Sequence, residues 1–346
     1  MGIPFERHVI GSTEENKTFE NLDSALSTFL SAGVSRKSIV MPVGGGITSN
    51  LFGLAASLLF RGIRLVHMPT SFLNAHDAVT SMKQAVNHSG YKNIVGSFHL
   101  PSMVLCDTSF YATLGVQEIK SGLGELTKNA AIFGGEHYDL IRRTTLAHGP
   151  ALSGEELAEA TFLGIQAKDA LLCDDPKEKS SALLFEYGHT IGHALELTEG
   201  VVTSHGEGVT IGMLGASYIA EKMGILPPEE RAKHDAMVDA LDPSIVIPNS
   251  EGLLDEVLDK IHHDNKRGYL PEMVGQVPMI LCSAVGTVHE PNKHFLEYVP
   301  DELVAEAVSM LLDRFQRPTG RRRNYLSHAV EANVSSSGPG GTRARM

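Results

Sequence analysis

Ser38-Ile39-Val40-Met41-Pro42-Val43-Gly44-Gly45-Gly46 is a short apolar run that breaks into three glycines. Beyond it, residues 51–59 have the apolar spacing of a helix, and 64–68 form a second short apolar run ending at Pro69-Thr70. Strand, glycine turn, helix and strand in that order predict the α/β alternation of a nucleotide-binding sheet. Three glycines alone mark only a turn. Between a strand and a helix, their amides can approach a pyrophosphate at a helix N-terminus. The run is not a GxGxxG fingerprint, and Pro42 is an unusual occupant of a central strand. Apolar periodicity predicts a helix over 20–32 before the run, and residues 104–107 are a candidate third strand.

From about Val116 the pattern turns helical. Helices are expected around 116–133, 154–173, 178–197, 206–223, 229–240 and 251–262, with a short strand at 279–282 and a last helix at 301–315. This gives an α/β nucleotide-binding domain over 1–112 and a mainly α-helical domain over 113–317. The remainder, 318–346, is rich in Arg, Ser and Gly and is expected to be disordered. No internal repeat is present.

The helical half carries the densest chemistry. Residues 183–196 read Leu-Leu-Phe-Glu-Tyr-Gly-His-Thr-Ile-Gly-His-Ala-Leu-Glu, followed by Ser204-His205-Gly206-Glu207-Gly208. On one continuous helix, Glu186, His189, His193 and Glu196 would share a face. Any one of these histidines could belong to a solvated polar face. The whole set, with His205 sixteen residues after His189 and Glu125 upstream, suits a divalent metal with positions left open for substrate, zinc and cobalt being equally compatible. Gly188 and Gly192 weaken a helix, so close approach of a backbone or a ligand is expected there. Glu125 and Lys128, three apart, are either a minor ion pair or a metal ligand beside a substrate contact. Lys83, Lys92, Lys168 and Lys266 could jointly bind a phosphate and hydroxyls.

Composition sets the outer bounds. A 346-residue chain can bury a large core in two domains. Its net charge of −12 argues against a nucleic-acid partner. Cys106, Cys173 and Cys282 are scattered and odd in number, and read as buried thiols of a reducing, cytoplasmic compartment. No apolar run reaches membrane-span length, and the N-terminus resembles neither a signal peptide nor a lipidation site.

From about Gly11 to Val288 the sequence resembles the sugar-phosphate cyclases of the dehydroquinate synthase superfamily. The resemblance is carried by Gly44-Gly45-Gly46-Ile47-Thr48-Ser49-Asn50, by 60–70 (Phe-Arg-Gly-Ile-Arg-Leu-Val-His-Met-Pro-Thr), by Lys83-Gln84-Ala85-Val86-Asn87, by Lys92-Asn93-Ile94-Val95-Gly96 and by 186–194. His263-Asp264-Asn265-Lys266-Arg267-Gly268-Tyr269 is closest to the inosose synthases within it. The resemblance implies a dehydroquinate synthase-like fold and an NAD- and metal-dependent lyase acting on a phosphorylated sugar. Glu125, His189 and His205 match the metal ligands. Asp77, Lys83, Asn93, Lys128, Lys168, His193 and Lys266 match substrate positions, with Lys83, Lys128, His193 and Glu186 the candidates for catalysis. Glu14, Lys17, Gly45, Gly46, Asn50, Thr70, Ser71 and Lys92 match the nucleotide region. Arg61 matches a residue that reaches the neighbouring subunit's substrate site, which implies a homodimer.

Two positions divide the family. Where dehydroquinate synthases carry an arginine for the substrate carboxylate and an asparagine, this chain has Ala182 and Glu186. Losing a carboxylate clamp and adding negative charge favours a sugar phosphate without a carboxylate, and glucose 6-phosphate fits. The implied reaction oxidises carbon 4 transiently, eliminates phosphate from carbon 6, restores carbon 4 and closes the ring between carbons 6 and 1. Other readings are a dehydroquinate or heptulose-phosphate cyclase, a polyol dehydrogenase of related architecture, and a non-catalytic remnant. The last is motivated by an apparent start about sixty residues late, on the scale of a small structural unit, and opposed by the intact metal and lysine positions. Ser49, Ser71 and Tyr91 are further departures, at positions usually Gly, Thr and Gly. Weakened NAD binding is the expectation from them.

Overall fold

In the computed structural model, which describes residues 4–89, 91–263, 270–291 and 294–316, α1 (Phe19–Ser31) leads into a parallel sheet. Strands β1 (Ile39–Val40) and β2 (Val43–Gly44) both pair with β3 (Arg64–Pro69) at one constant register, Ile39 opposite Arg64 and Val43 opposite Met68. They are one strand interrupted at Met41-Pro42. Pro42 lacks an N–H for the ladder, but its carbonyl accepts the Met68 N–H at 2.9 Å. This accounts for the proline, and corrects the single run expected over 38–43. Between β2 and β3, α2 (Gly46–Leu58) starts five residues earlier than its periodicity suggested.

The short α3 (Phe72–His76) follows β3. Next comes an antiparallel hairpin of β4 (Lys83–His88) and β5 (Tyr91–Phe98) that the sequence reading missed. The third parallel strand, β6, is Met103–Val104, shorter and earlier than the 104–107 expected. It pairs with the far side of β3, which is therefore central.

Helices α1 and α2 bury one face of this sheet: Val40 and Leu65 pack with Leu22, Leu51, Leu54 and Ala55. In-register neighbours point the same way, so Ile39, Met41, Val43, Val66, Met68, Met103 and Leu105 share the opposite face. Of these, Ile39, Val43 and Met103 are 51%, 53% and 54% exposed. Parallel sheets are ordinarily covered on both faces. Among the described residues this one is covered on one.

The second half is helical: α4 (Val116–Phe133), α5 (Gly135–Arg143), α6 (Thr145–His148), α7 (Gly154–Leu172), α8 (His189–Leu197), α9 (His205–Lys222), α10 (Pro228–Leu241) and α11 (Leu253–His262). A ribbon of β7 (Gln276–Ile280) with β10 (Leu296–Pro300), a small pair β8 (Cys282–Ala284) and β9 (Thr287–Val288), and α12 (Asp301–Phe315) close the fold. Local signals set several boundaries: a Ser153/Glu156 capping box opens α7, and Pro228 stands in the first turn of α10. A separate apolar core runs through these helices, built on Leu123, Leu126, Ile191, Leu195, Ile211 and Leu214.

The helix expected over 178–197 is not continuous. Ser181–Glu186 form a 3-10 segment, and Gly188 takes a left-handed φ of +78° before α8 begins. Glu186 therefore does not share a helix face with His189, His193 and Glu196. The thiol reading is also corrected: Cys282 is buried, but Cys106 and Cys173 are exposed. The 318–346 segment lies outside the described residues.

A candidate metal centre beside a glycine loop

Helices α4, α8 and α9 meet without side chains between their backbones. A Cβ on Gly124 would stand 2.2 Å from the Gly206 carbonyl oxygen, and one on Gly192 would stand 2.8 Å from that of Gly208. The close approach expected at Gly192 is thus to another backbone. Its consequence is that side chains one position away converge: Glu125 beside Gly124, and His205 beside Gly206.

Glu125 is 1% exposed. Among the described residues its Oε1 has no hydrogen-bond partner, yet it lies 3.3 Å from His205 Nε2 and 3.5 Å from His189 Nε2. Ligands about 2.0–2.1 Å from a tetrahedral metal stand roughly 3.4 Å apart, so a buried orphan oxygen and two imidazoles already occupy ligand spacing. One ring nitrogen each of His189, His193 and His205 also lies within 4.8 Å of the others. The donor set, nitrogen and oxygen without thiolate, fits zinc or cobalt.

Electrostatics act differently on the three groups. Burial opposes a charge on His205, but the carboxylates of Glu125 and Glu196 outweigh it and raise its pKa to about 10, so a metal has to displace a proton there. Burial alone would push the Glu125 carboxyl up, but Lys128 and His189 more than offset it and hold it well below the usual carboxylate range. Burial brings His189 down to about 4, partly opposed by Glu125, leaving the neutral imidazole a ligand needs. Its Nδ1 faces the Tyr187 carbonyl at 3.2 Å. His205 Nδ1 faces Glu196 Oε2 at 3.2 Å.

Two buried cations flank the centre. Lys128 pairs with the other oxygen of Glu125. Lys168 lies 2.7 Å from Asp77 and 4.0 Å above the Phe185 ring, with Lys128 5.1 Å from the same ring. Burial opposes the Lys168 charge, but Asp77 outweighs it and raises the pKa. Asp77, Glu125, Lys128, Lys168, His189, His193 and His205 are thus brought together. Lys83 instead pairs with Glu178, which also accepts from Ser81 Oγ at 2.8 Å. Glu178 gave no sequence signal, since its partner is 95 residues away. Lys92 pairs with Glu196 at 2.6 Å. Lys266 lies outside the described residues.

Ala182 is buried, its N–H donating to Asp175, whose carboxylate also accepts from the amides of Lys179 and Ser180. Asp175 thereby shapes the loop leading to Glu186, another role not legible locally. Glu186 is half-buried near His189, whose imidazolium form it favours.

In the sheet half, α2 opens at Gly45 with no side-chain cap. A Cβ on Gly45 or Gly46 would meet only ordinary contacts, Ser71 Oγ at 3.5 Å and Asn74 Oδ1 at 3.9 Å. Internal packing does not demand glycine there, whereas an anion drawn onto the first-turn amides would. A pyrophosphate therefore fits. Asn50 bonds the Gly46 carbonyl, and the Thr70 N–H bonds that of Gly44. The Ser49 side chain is turned away into a bond with Asn74 at 2.8 Å. Glu14, Lys17 and Asn93 are joined through Asn87 and the Lys17–Asn93 bond. Arg61 is exposed on the turn after α2, at φ +66°.

Residues 7–121 match the 3-dehydroquinate synthase N-terminal domain and residues 122–267 the C-terminal one. The chain is 40% identical over 299 residues to the 2-deoxy-scyllo-inosose synthase of Streptomyces ribosidificus, covering 86% of this chain and 75% of that protein. Among solved structures, a 2-deoxy-scyllo-inosose synthase complexed with carbaglucose-6-phosphate, NAD+ and Co2+ superposes with a TM-score of 0.78 at 35% identity, covering 86% and 80% of the two chains. A 2-epi-5-epi-valiolone synthase from Streptomyces hygroscopicus subsp. jinggangensis 5008, with NAD+ and Zn2+ bound, gives 0.74 at 25% identity, covering 88% and 82%.

Proposed function

The chain belongs to the 3-dehydroquinate synthase family of sugar-phosphate cyclases, and on that premise we propose that it converts D-glucose 6-phosphate to 2-deoxy-scyllo-inosose and phosphate. It is then an NAD- and metal-dependent carbon–oxygen lyase of 2-deoxystreptamine aminoglycoside antibiotic biosynthesis. The observation that carries the reading is the buried Glu125 oxygen set between His189 and His205, with Lys128 and Lys168 beside it.

When bound, the metal supplies Lewis acidity and the nicotinamide a reversible hydride acceptor, with no net redox change. Glu125, His189 and His205 hold the metal. The first-turn amides of α2, at Gly45 and Gly46, hold the pyrophosphate. Lys128 and Lys168 present fixed positive charge to substrate oxygens, and Asp77 keeps Lys168 charged and oriented. His193 and Lys266 take the phosphate group. Glu186 meets hydroxyls, and its charge disfavours a carboxylate substrate. Ala182 offers no cation to balance one.

The same reading makes the protein a cytoplasmic homodimer in which Arg61 reaches the partner's site. Its exposure on a left-handed turn suits such a reach. No described helix is long and apolar enough to cross a membrane.

The test supplies metal-loaded protein with glucose 6-phosphate and catalytic NAD. Phosphate release without NADH accumulation is expected. NADH accumulating in step with substrate consumed, with no phosphate released, would identify a dehydrogenase instead.

A further inference from the structure

We infer that Glu196 is a positioning residue of the metal centre, holding the His205 ring by Nδ1 so that Nε2 faces the Glu125 oxygen, and that Lys92 secures the Glu196 carboxylate in turn. This rests on reading Glu125, His189 and His205 as the metal ligands.

The geometry is that of a relay. Glu196 lies in the last turn of α8, and His205 opens α9. One Glu196 oxygen stands 3.2 Å from His205 Nδ1, and the other 2.6 Å from Lys92 Nζ. On its far side, His205 Nε2 is 3.3 Å from Glu125 Oε1. An imidazole whose Nδ1–H is donated to a carboxylate keeps its Nε2 lone pair for a metal, and the carboxylate raises its donor strength. The two histidines are held differently. His189 Nδ1 faces a main-chain carbonyl, that of Tyr187, which the fold fixes. His205 depends on a side chain, so its orientation can be lost by a single substitution.

Lys92 gives the arrangement a second consequence. It sits on the β4–β5 hairpin next to Asn93, which bonds Lys17 and Asn87 in the region read as nucleotide-binding. Lys92, read from the sequence as a cofactor contact, is tied here to Glu196, the partner of His205. The hairpin and the centre are thereby linked through Lys92, Glu196 and His205. The alternative is an ordinary ion pair: the Lys92 and Glu196 side chains are 39% and 18% exposed, and such pairs add little stability. Metal affinity, and not stability, separates the two.

The experiment titrates the metal-free full chain with Co2+, read by visible absorption of the bound ion and by calorimetry. It compares the parent with Glu196→Ala, Glu196→Gln and Lys92→Met. Glu196→Ala should weaken cobalt binding about 10- to 100-fold. Glu196→Gln, whose amide oxygen still accepts from Nδ1–H, should lose clearly less, and Lys92→Met a few-fold. Metal-free melting temperatures should stay close to the parent's. Cobalt binding by Glu196→Ala within twofold of a parent that itself binds cobalt would overturn the inference. So would equal losses in the Ala and Gln variants accompanied by lowered metal-free melting, which marks a structural role. A parent that takes up no cobalt overturns the metal reading and this inference with it.

Discussion

Glu125 has two partners with different needs, and its replacement should separate them. His205→Ala and His189→Ala remove a ligand each, and bound metal measured after dialysis should fall to near zero in both. Glu125→Ala should lose the metal as well, but also strand Lys128, which is 1% exposed. An uncompensated buried charge costs on the order of 3–5 kcal/mol, so its metal-free form should melt well below that of His205→Ala. Equal melting of the two would mean that Lys128 finds another partner. The histidines were legible because four-residue spacing and the glycines about them are local features of one segment. Glu178 was not, and of Glu196 only the place on the helix face was: one meets Lys83 and the other Lys92 across more than ninety residues of chain, and no spacing rule spans that distance.

Helix α9 is the element on which the centre turns. A Cβ on Gly206 would lie 1.8 Å from the Ser121 carbonyl oxygen, so Gly206→Ala has to push α9 away from α4 and carry His205 from Glu125. Overpacking costs about 1–3 kcal/mol. The expected result is a lowered melting temperature together with weakened cobalt binding. Gly154→Ala, at the start of α7 with open space around the site, should leave both unchanged and serves as the control. Most helices were readable because each has one apolar stripe of adequate length. The helix expected over 178–197 was not, since periodicity runs on through a left-handed glycine that redirects the chain. The β4–β5 hairpin was missed for a different reason. Ile94, Val95 and Phe98 on β5 are exposed, so the strand lacks the clean alternation that one buried face imposes.

Acid should act on the molecule as a whole. His76 and His234 are buried, and burial lowers both to about 4, His76 against the pull of Asp77 and His234 against that of Glu230. Their folded-state pKa lies below the ordinary value of about 6.5, so the unfolded chain binds protons that the folded one refuses. Stability should therefore fall as pH drops from about 6.5 to about 4, and this contribution should level off below that. Urea unfolding across the range checks it, and a midpoint independent of pH there would contradict it. The same interval strips negative charge from a chain that carries −12 at neutrality. Mutual repulsion then weakens while Ile39, Met41, Val43, Met103 and Leu105 remain open on the uncovered sheet face. Above pH 7 the molecules are held apart by charge; nearer pH 5 that repulsion is spent, and the chain should turn adhesive and come out of solution. Turbidity should rise on acidification before bulk unfolding does, sooner in salt, and Met41→Glu with Met103→Glu should delay it.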